Sequence, residues 1–199
     1  SIVLTHAPSD YMEDHEYASR LASSAAFNRC LPSYVTDPPQ PSGNKPVAVY
    51  HSLPHALMDM QRMPVVPEFC IDVGSVMAQR RAMLACHTSQ REWLDATQGM
   101  GSYVESMADA AREVGRRYGG CEFAEGWRRH NHMGYCAADY APLETALAAM
   151  EQALQSVATR ERQLQNALRK DEGLWNTAQL HLQRFEDGLH QLRNEIEQD

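Results

Sequence analysis

The last third of the chain constrains its fold most. Leu143, Leu147, Met150, Leu154, Val157, Glu161, Leu164, Leu168, Asp171, Trp175, Ala178, Leu182, Phe185, Leu189, Leu192 and Ile196 follow one another at alternating steps of four and three residues without a slip. Only Glu161 and Asp171 break the apolar series. A repeat of about 3.5 residues keeps one seam of a helix facing a partner, so residues 138–199 are expected to form a long helix in a coiled coil or a bundle. A helical hairpin turning near Lys170–Gly173 is the competing arrangement, because glycine weakens a helix. The register does not shift there, and homo-oligomerisation through residues 143–196 is the expected use of the seam.

Composition removes several classes of function. The 199 residues carry 18 Lys+Arg against 26 Asp+Glu, a formal net charge of -8. Basic residues are outnumbered and scattered, which leaves no footprint for the phosphate contacts that dominate nucleic-acid affinity. No apolar run approaches the roughly 18 residues needed to cross a bilayer. Neither nucleic acid nor membrane is expected as a partner. Cys30, Cys70, Cys86, Cys121 and Cys136 include no CxxC pair and are read as reduced thiols of a cytoplasmic protein, most of them small buried hydrophobes. The ten Met residues are irregularly spaced and are read as core filler.

Residues 1–137 have an α/β pattern. Ile2-Val-Leu4 is a β-branched apolar run expected to be a buried strand, and Asp10 with Glu13 fits a capping box opening a helix from Tyr11 to about Phe27. A Pro- and Ser-rich loop from Leu31 leads to a second strand at Pro46–Tyr50, and Glu68–Val73 forms a third. Helices are expected from about Val76 to Ala96, broken by Gly99 to Gly101, and from Tyr103 to Tyr118. Cys121–Gly126 is a last short strand or turn.

Folds built of strand, loop and helix bind ligands where the strand's carboxyl end meets the helix. That places chemistry in Thr5–His15, and makes His6, Asp10 and Tyr11 candidate substrate contacts. Asp14-His15 on the first turn of a helix is a plausible metal site, since imidazole ligates zinc and a neighbouring carboxylate can orient it. A catalytic zinc needs three protein ligands, and no other cluster in the sequence is arranged to supply two more. Glu125 and Arg128 fall where a loop could line the same pocket. His87, Ser89 and Gln90 are assigned to helix packing, and the His130/His132 pair to an adventitious metal site or a solvated turn.

The segment Val3-Leu-Thr-His-Ala-Pro-Ser-Asp-Tyr-Met-Glu-Asp-His15 resembles the second motif of the LmbE/PIG-L family of zinc-dependent N-deacetylases, a strand followed by His-Pro-Asp-His. Phe69–Val73, Met83–Gln90 and Cys121–Arg128 follow in the order and spacing of that family's C-terminal half, so the resemblance covers about residues 1–135. It implies a partial Rossmann-like domain that uses Zn2+ to hydrolyse an N-acetyl or other amide group on an amino sugar or related small molecule. It also implies that His15 is a zinc ligand and that Asp14, the candidate catalytic residue, matches the Asp that supports the first His of the motif.

Two departures accompany the resemblance. The family's N-terminal Ala-His-Pro-Asp-Asp motif, which carries the other ligands and the general base, would precede Ser1. Hydrolysis is therefore expected to need a chain or segment supplying that half. Met12 stands where the motif has its first His, and a thioether cannot donate to an oxyanion, a loss worth about 100- to 1000-fold in turnover. The alternative expectation is a catalytically degenerate assembly module that oligomerises through its heptads.

Overall fold

The structure, a computed structural model, describes residues 1–98, 103–170 and 175–196. β1 (Ile2–Thr5), α1 (Glu13–Asn28) and β2 (Ala48–Ser52) form one crossover, with β1 and β2 parallel and paired from Ile2 with Ala48 to Thr5 with His51. β3 (Phe69–Asp72) and β4 (Ala124–Arg129) complete a four-stranded sheet in the order β1-β2-β4-β3. β4 enters between β2 and β3 and is antiparallel to both. The fold is therefore mixed α/β, with parallel pairing confined to β1 and β2 among the described strands.

Placement in the sheet decides burial. β2 is central, and Ala48, Val49, Tyr50 and His51 are all buried. β1 is an edge strand, so Ile2 and Leu4, expected inside, are 40% and 53% exposed. α1 lays small residues on the sheet: Ala26 packs with Val47 and Val49, joined by Val3 and Tyr135. Arg29 then ties down the end of α1 by donating to the carbonyls of Ala26 and Tyr135, both at 2.7 Å.

The expected helix over 76–96 is two helices, α2 (Met77–Ala85) and α3 (Thr88–Gln98). Tight turns end the first, with Cys86 N–H donating to Met83 and His87 N–H to Leu84. His87, Ser89 and Gln90 consequently sit exposed at the joint rather than packing into core. The expected Gly99–Gly101 break lies outside the described residues. α4 (Tyr103–Val114) buries Ala108 and Ala111 against Val73 and Met77, and Arg81 on α2 pairs with Glu105 on α4. A π-helical turn over Gly115–Gly119 and the left-handed Gly120 (φ 63) reverse the chain into β4.

The chain divides into two compact units, Ser1–Pro142 and Leu143–Asp199. α5 (Pro142–Lys170) opens on a proline, which suits a first helical position because its missing N–H would have no partner there. α6 (Trp175–Ile196) carries the rest of the seam, and the turn envisaged at Lys170–Gly173 falls largely on residues outside those described. Met150, Leu154, Leu189 and Leu192 are exposed along the seam, and Val157, Leu164, Leu182 and Phe185 are half-buried. No described helix is long and apolar enough to cross a membrane.

Two composition-based expectations are corrected. All five cysteines are free thiols and none is buried: Cys30 and Cys86 are exposed, and the others are intermediate. Met58, Met60, Met63, Met83, Met133 and Met150 are exposed, whereas Met77 is in the core. Both residue types took the exposure of the positions on which they fall, not their average preference.

Candidate functional site

A cavity of about 420 Å³ opens at the carboxyl ends of β1 and β2, where parallel strands give way to loops. His6, Asp10 and Tyr11 reach it from the loop after β1, His15 from α1, and Ser52 to His55 from the end of β2. Leu84, Ala110, Ala111 and Val114 form apolar wall, and Arg80, Glu125 and Trp127 close the far side.

The loop into α1 is organised by Asp10. Its Oδ1 accepts the Met12 N–H at 3.0 Å, and its own N–H donates to the Glu16 carboxylate at 2.8 Å. The expected capping box is thus shifted: Glu16, not Glu13, reaches back, and Met12 at the N-cap gives no side-chain bond. This pair of bonds holds the Asp10 carboxylate, 4% exposed, 3.3 Å from His15 Nδ1. His6 stacks on His15 with ring centroids 4.2 Å apart and planes 9° from parallel. Burial on that stack and the neighbouring His15 hold His6 below its ordinary pKa, against the pull of Asp10 and Asp14.

Sequence-predicted residues fall into three groups. His6, Asp10, Tyr11, His15 and Glu125 line one cavity. Asp14 is exposed on the first turn of α1, and the carboxylate facing His15 is Asp10. Arg128 is exposed on β4, opposite His51 in the strand register, and is not part of the cavity lining.

Two titratable lining residues were missed. Arg80 on α2 meets Glu125 on β4 at 2.6 Å, a pair joined only by the fold. His55 stands 5.9 Å from the Tyr11 ring. It opens a turn in which Ala56 and Leu57 hold positive φ, at 64° and 57°, a conformation costing non-glycine residues about 1–3 kcal/mol each. His55 follows a proline in a loop, and no local pattern sets it apart.

The fit to Zn2+ rests on these atoms. Among the described residues no group of three or more His, Cys, Asp or Glu is placed to hold a metal ion. Imidazole lone pairs lie in the ring plane, so the stacked His6 and His15 present parallel planes rather than converging donors. The described residues do not by themselves fit a zinc ion.

Fold and site together define a mixed α/β domain with an apolar-walled, histidine-mouthed cavity of small-molecule size. No family model and no curated protein matches the chain. Among solved structures it is similar to GalB, the 4-carboxy-2-hydroxymuconate hydratase from Pseudomonas putida KT2440, at 23% identity and a TM-score of 0.44. That match covers 65% of this chain and 52% of the other, so the chain spans about half the length of its neighbour.

Proposed function

We propose that this α/β domain hydrolyses an N-acetyl or related amide group on a small molecule, the activity implied by the LmbE/PIG-L resemblance. The observation that carries the reading is the buried Asp10 carboxylate 3.3 Å from His15 Nδ1 at the mouth of the cavity. A carboxylate in that position favours the proton on Nδ1 and leaves the Nε2 lone pair for work. His15 Nε2 is then the atom offered to the reacting centre, with Asp10 holding the ring. The apolar wall receives the substrate's carbon skeleton, and the Arg80–Glu125 pair offers polar contacts to its substituents.

In this reading the site is completed by a partner. Zn2+ would need donors beyond the described residues, brought beside His15 by a chain or segment that pairs along β1. The open edge of β1, with Ile2 and Leu4 exposed on it, supports that arrangement. The test is bound metal and acetate release from N-acetylglucosamine, measured on the protein purified with the chain or segment that completes its site and on the same assembly carrying His15→Ala. Loss of both with His15 is the expected result. Release that survives the substitution, or no release and no metal in either protein, overturns the hydrolytic reading.

A second reading, an assembly module without catalysis, is favoured by a separate observation. Met150 and Leu154 are 51% and 62% exposed on a seam whose spacing suits a partner helix.

A further inference from the structure

A second polar centre takes no part in the chemistry above. It lies at a cavity of about 440 Å³ beside α1, where Ser19, Ser23, Asn28, His51, His130 and Tyr135 form part of the lining. Ser19 and His51 are 1% and 5% exposed, so their polar atoms are held by partners rather than by bulk water.

The hydrogen bonds fix where each proton sits. His51 Nδ1 is 2.8 Å from the carbonyl oxygen of His6, and a carbonyl only accepts, so Nδ1 carries hydrogen. In a neutral ring Nε2 is then bare. That bare Nε2 lies 2.8 Å from His130 Nδ1, which must therefore be the donor. With the second ring also neutral, its own Nε2 keeps its lone pair, and His130 is one of the residues that line the cavity. Burial holds both imidazoles below the ordinary histidine value of 6.5, which keeps them neutral at pH 7.

Two further contacts sharpen the picture. Ser19 Oγ lies 3.2 Å from the protonated His51 Nδ1 and so accepts there, which excludes it as a nucleophile activated by that ring. Tyr135 meets the His130 ring edge-on at 4.9 Å and anchors itself by donating its hydroxyl to the Ser23 carbonyl. The His130 ring is thus held by His51 and Tyr135, which are themselves tied to other segments of the chain through His6, Ser19 and Ser23.

We propose that this cavity is a second ligand site, in which His130 Nε2 accepts a hydrogen bond from a hydroxyl of a small neutral polyol. The lining is hydroxyl and amide, able both to donate and to accept, and Glu16 and Arg20 balance each other in charge. Phe27 and Tyr135, in edge contact at 5.5 Å, add an apolar wall for the carbon face of such a molecule. An anion would meet a bare lone pair, and a metal ion would find no group of three donors among the described residues. The inference is independent of the hydrolytic reading, because its test uses no turnover.

The test is long-range proton–nitrogen correlation on the histidine rings of the ¹⁵N-labelled full chain at pH 7.5, titrated separately with D-ribose, inorganic phosphate and Zn2+. The expected result is an unprotonated His130 Nε2 that ribose shifts saturably, with His15 unmoved. Asn28→Ala, a milder change than removing His130, is expected to weaken the ribose response roughly 3- to 10-fold. A proton found on His130 Nε2, a response to phosphate or Zn2+ in place of ribose, or no response to any probe overturns the proposal.

Discussion

Asp10 shows how much one side chain can organise. The same carboxylate accepts a backbone N–H at the entrance to α1 and faces His15, so its substitutions separate structure from chemistry. Asp10→Asn keeps an oxygen for Met12 N–H while removing the charge. The expected outcome is a loss of about 10- to 100-fold in acetate release or metal affinity, the usual cost of removing a group that orients a ligand. The thermal midpoint should stay nearly unchanged, and calorimetry beside the activity assay checks both halves. A fall in midpoint as large as that of Asp10→Ala would place the effect in the fold.

The His51–His130 pair makes a prediction for stability against pH. Both rings titrate below the ordinary value of 6.5 in the folded protein because burial opposes their charge. Above 6.5 neither state is protonated and the pair contributes no pH dependence. As pH falls through that value the unfolded chain binds protons first, so stability declines and continues to decline until the folded rings protonate. Urea midpoints between pH 7.5 and 5 should fall, and the slope should flatten in His51→Gln. An equally steep slope in that variant would assign the effect to other groups.

At the scale of elements, the strand β4 decides most. Gly126 sits where a Cβ would lie 2.5 Å from Leu53 Cδ1 and 2.9 Å from Pro67 Cβ, so β2, β4 and the loop before β3 are packed through a missing side chain. Gly126→Ala is expected to cost about 1–3 kcal/mol by overpacking, read as a lower urea midpoint with an unchanged slope. The helical tail carries the other prediction at this scale. Leu154→Glu places a charge on the exposed seam, and self-association of the full chain in sedimentation equilibrium should weaken or vanish. Wild-type protein that is monomeric at tens of micromolar would remove the assembly reading.

Elements were legible in the sequence to differing degrees. The strands at 2–5, 48–52 and 69–72 and the helix at 13–28 follow from short apolar runs bounded by turn residues and from a Gly- and Pro-free run of helix formers. The split between α2 and α3 was not legible, because Cys86 and His87 are ordinary helix residues and the turn there is set by its backbone hydrogen bonds. Within the candidate site, His6, Asp10, Tyr11 and His15 share one loop and one helix turn, so local reasoning brings them together. Glu125 was singled out by sequence order, whereas its partner Arg80 was not, since they meet only across two packed elements.

For the whole molecule, the buried clusters around Val49, Val73 and Leu57 draw only on residues of the first unit. A chain ending at Pro142 should therefore keep the near-ultraviolet circular dichroism of the full protein. Loss of that signal would show that the tail is needed to hold the domain. By itself the sequence determined what is local: the periodicities that make strands and helices, the acidic loop that caps α1, and the seam of the tail. Tertiary structure decided what is distant. Inserting β4 antiparallel between β2 and β3 brings Glu125 to Arg80 and His130 to His51 across long stretches of chain. Such pairings leave no periodic trace, because they depend on which strand lies beside which, and that is set by burying apolar surface over the whole domain.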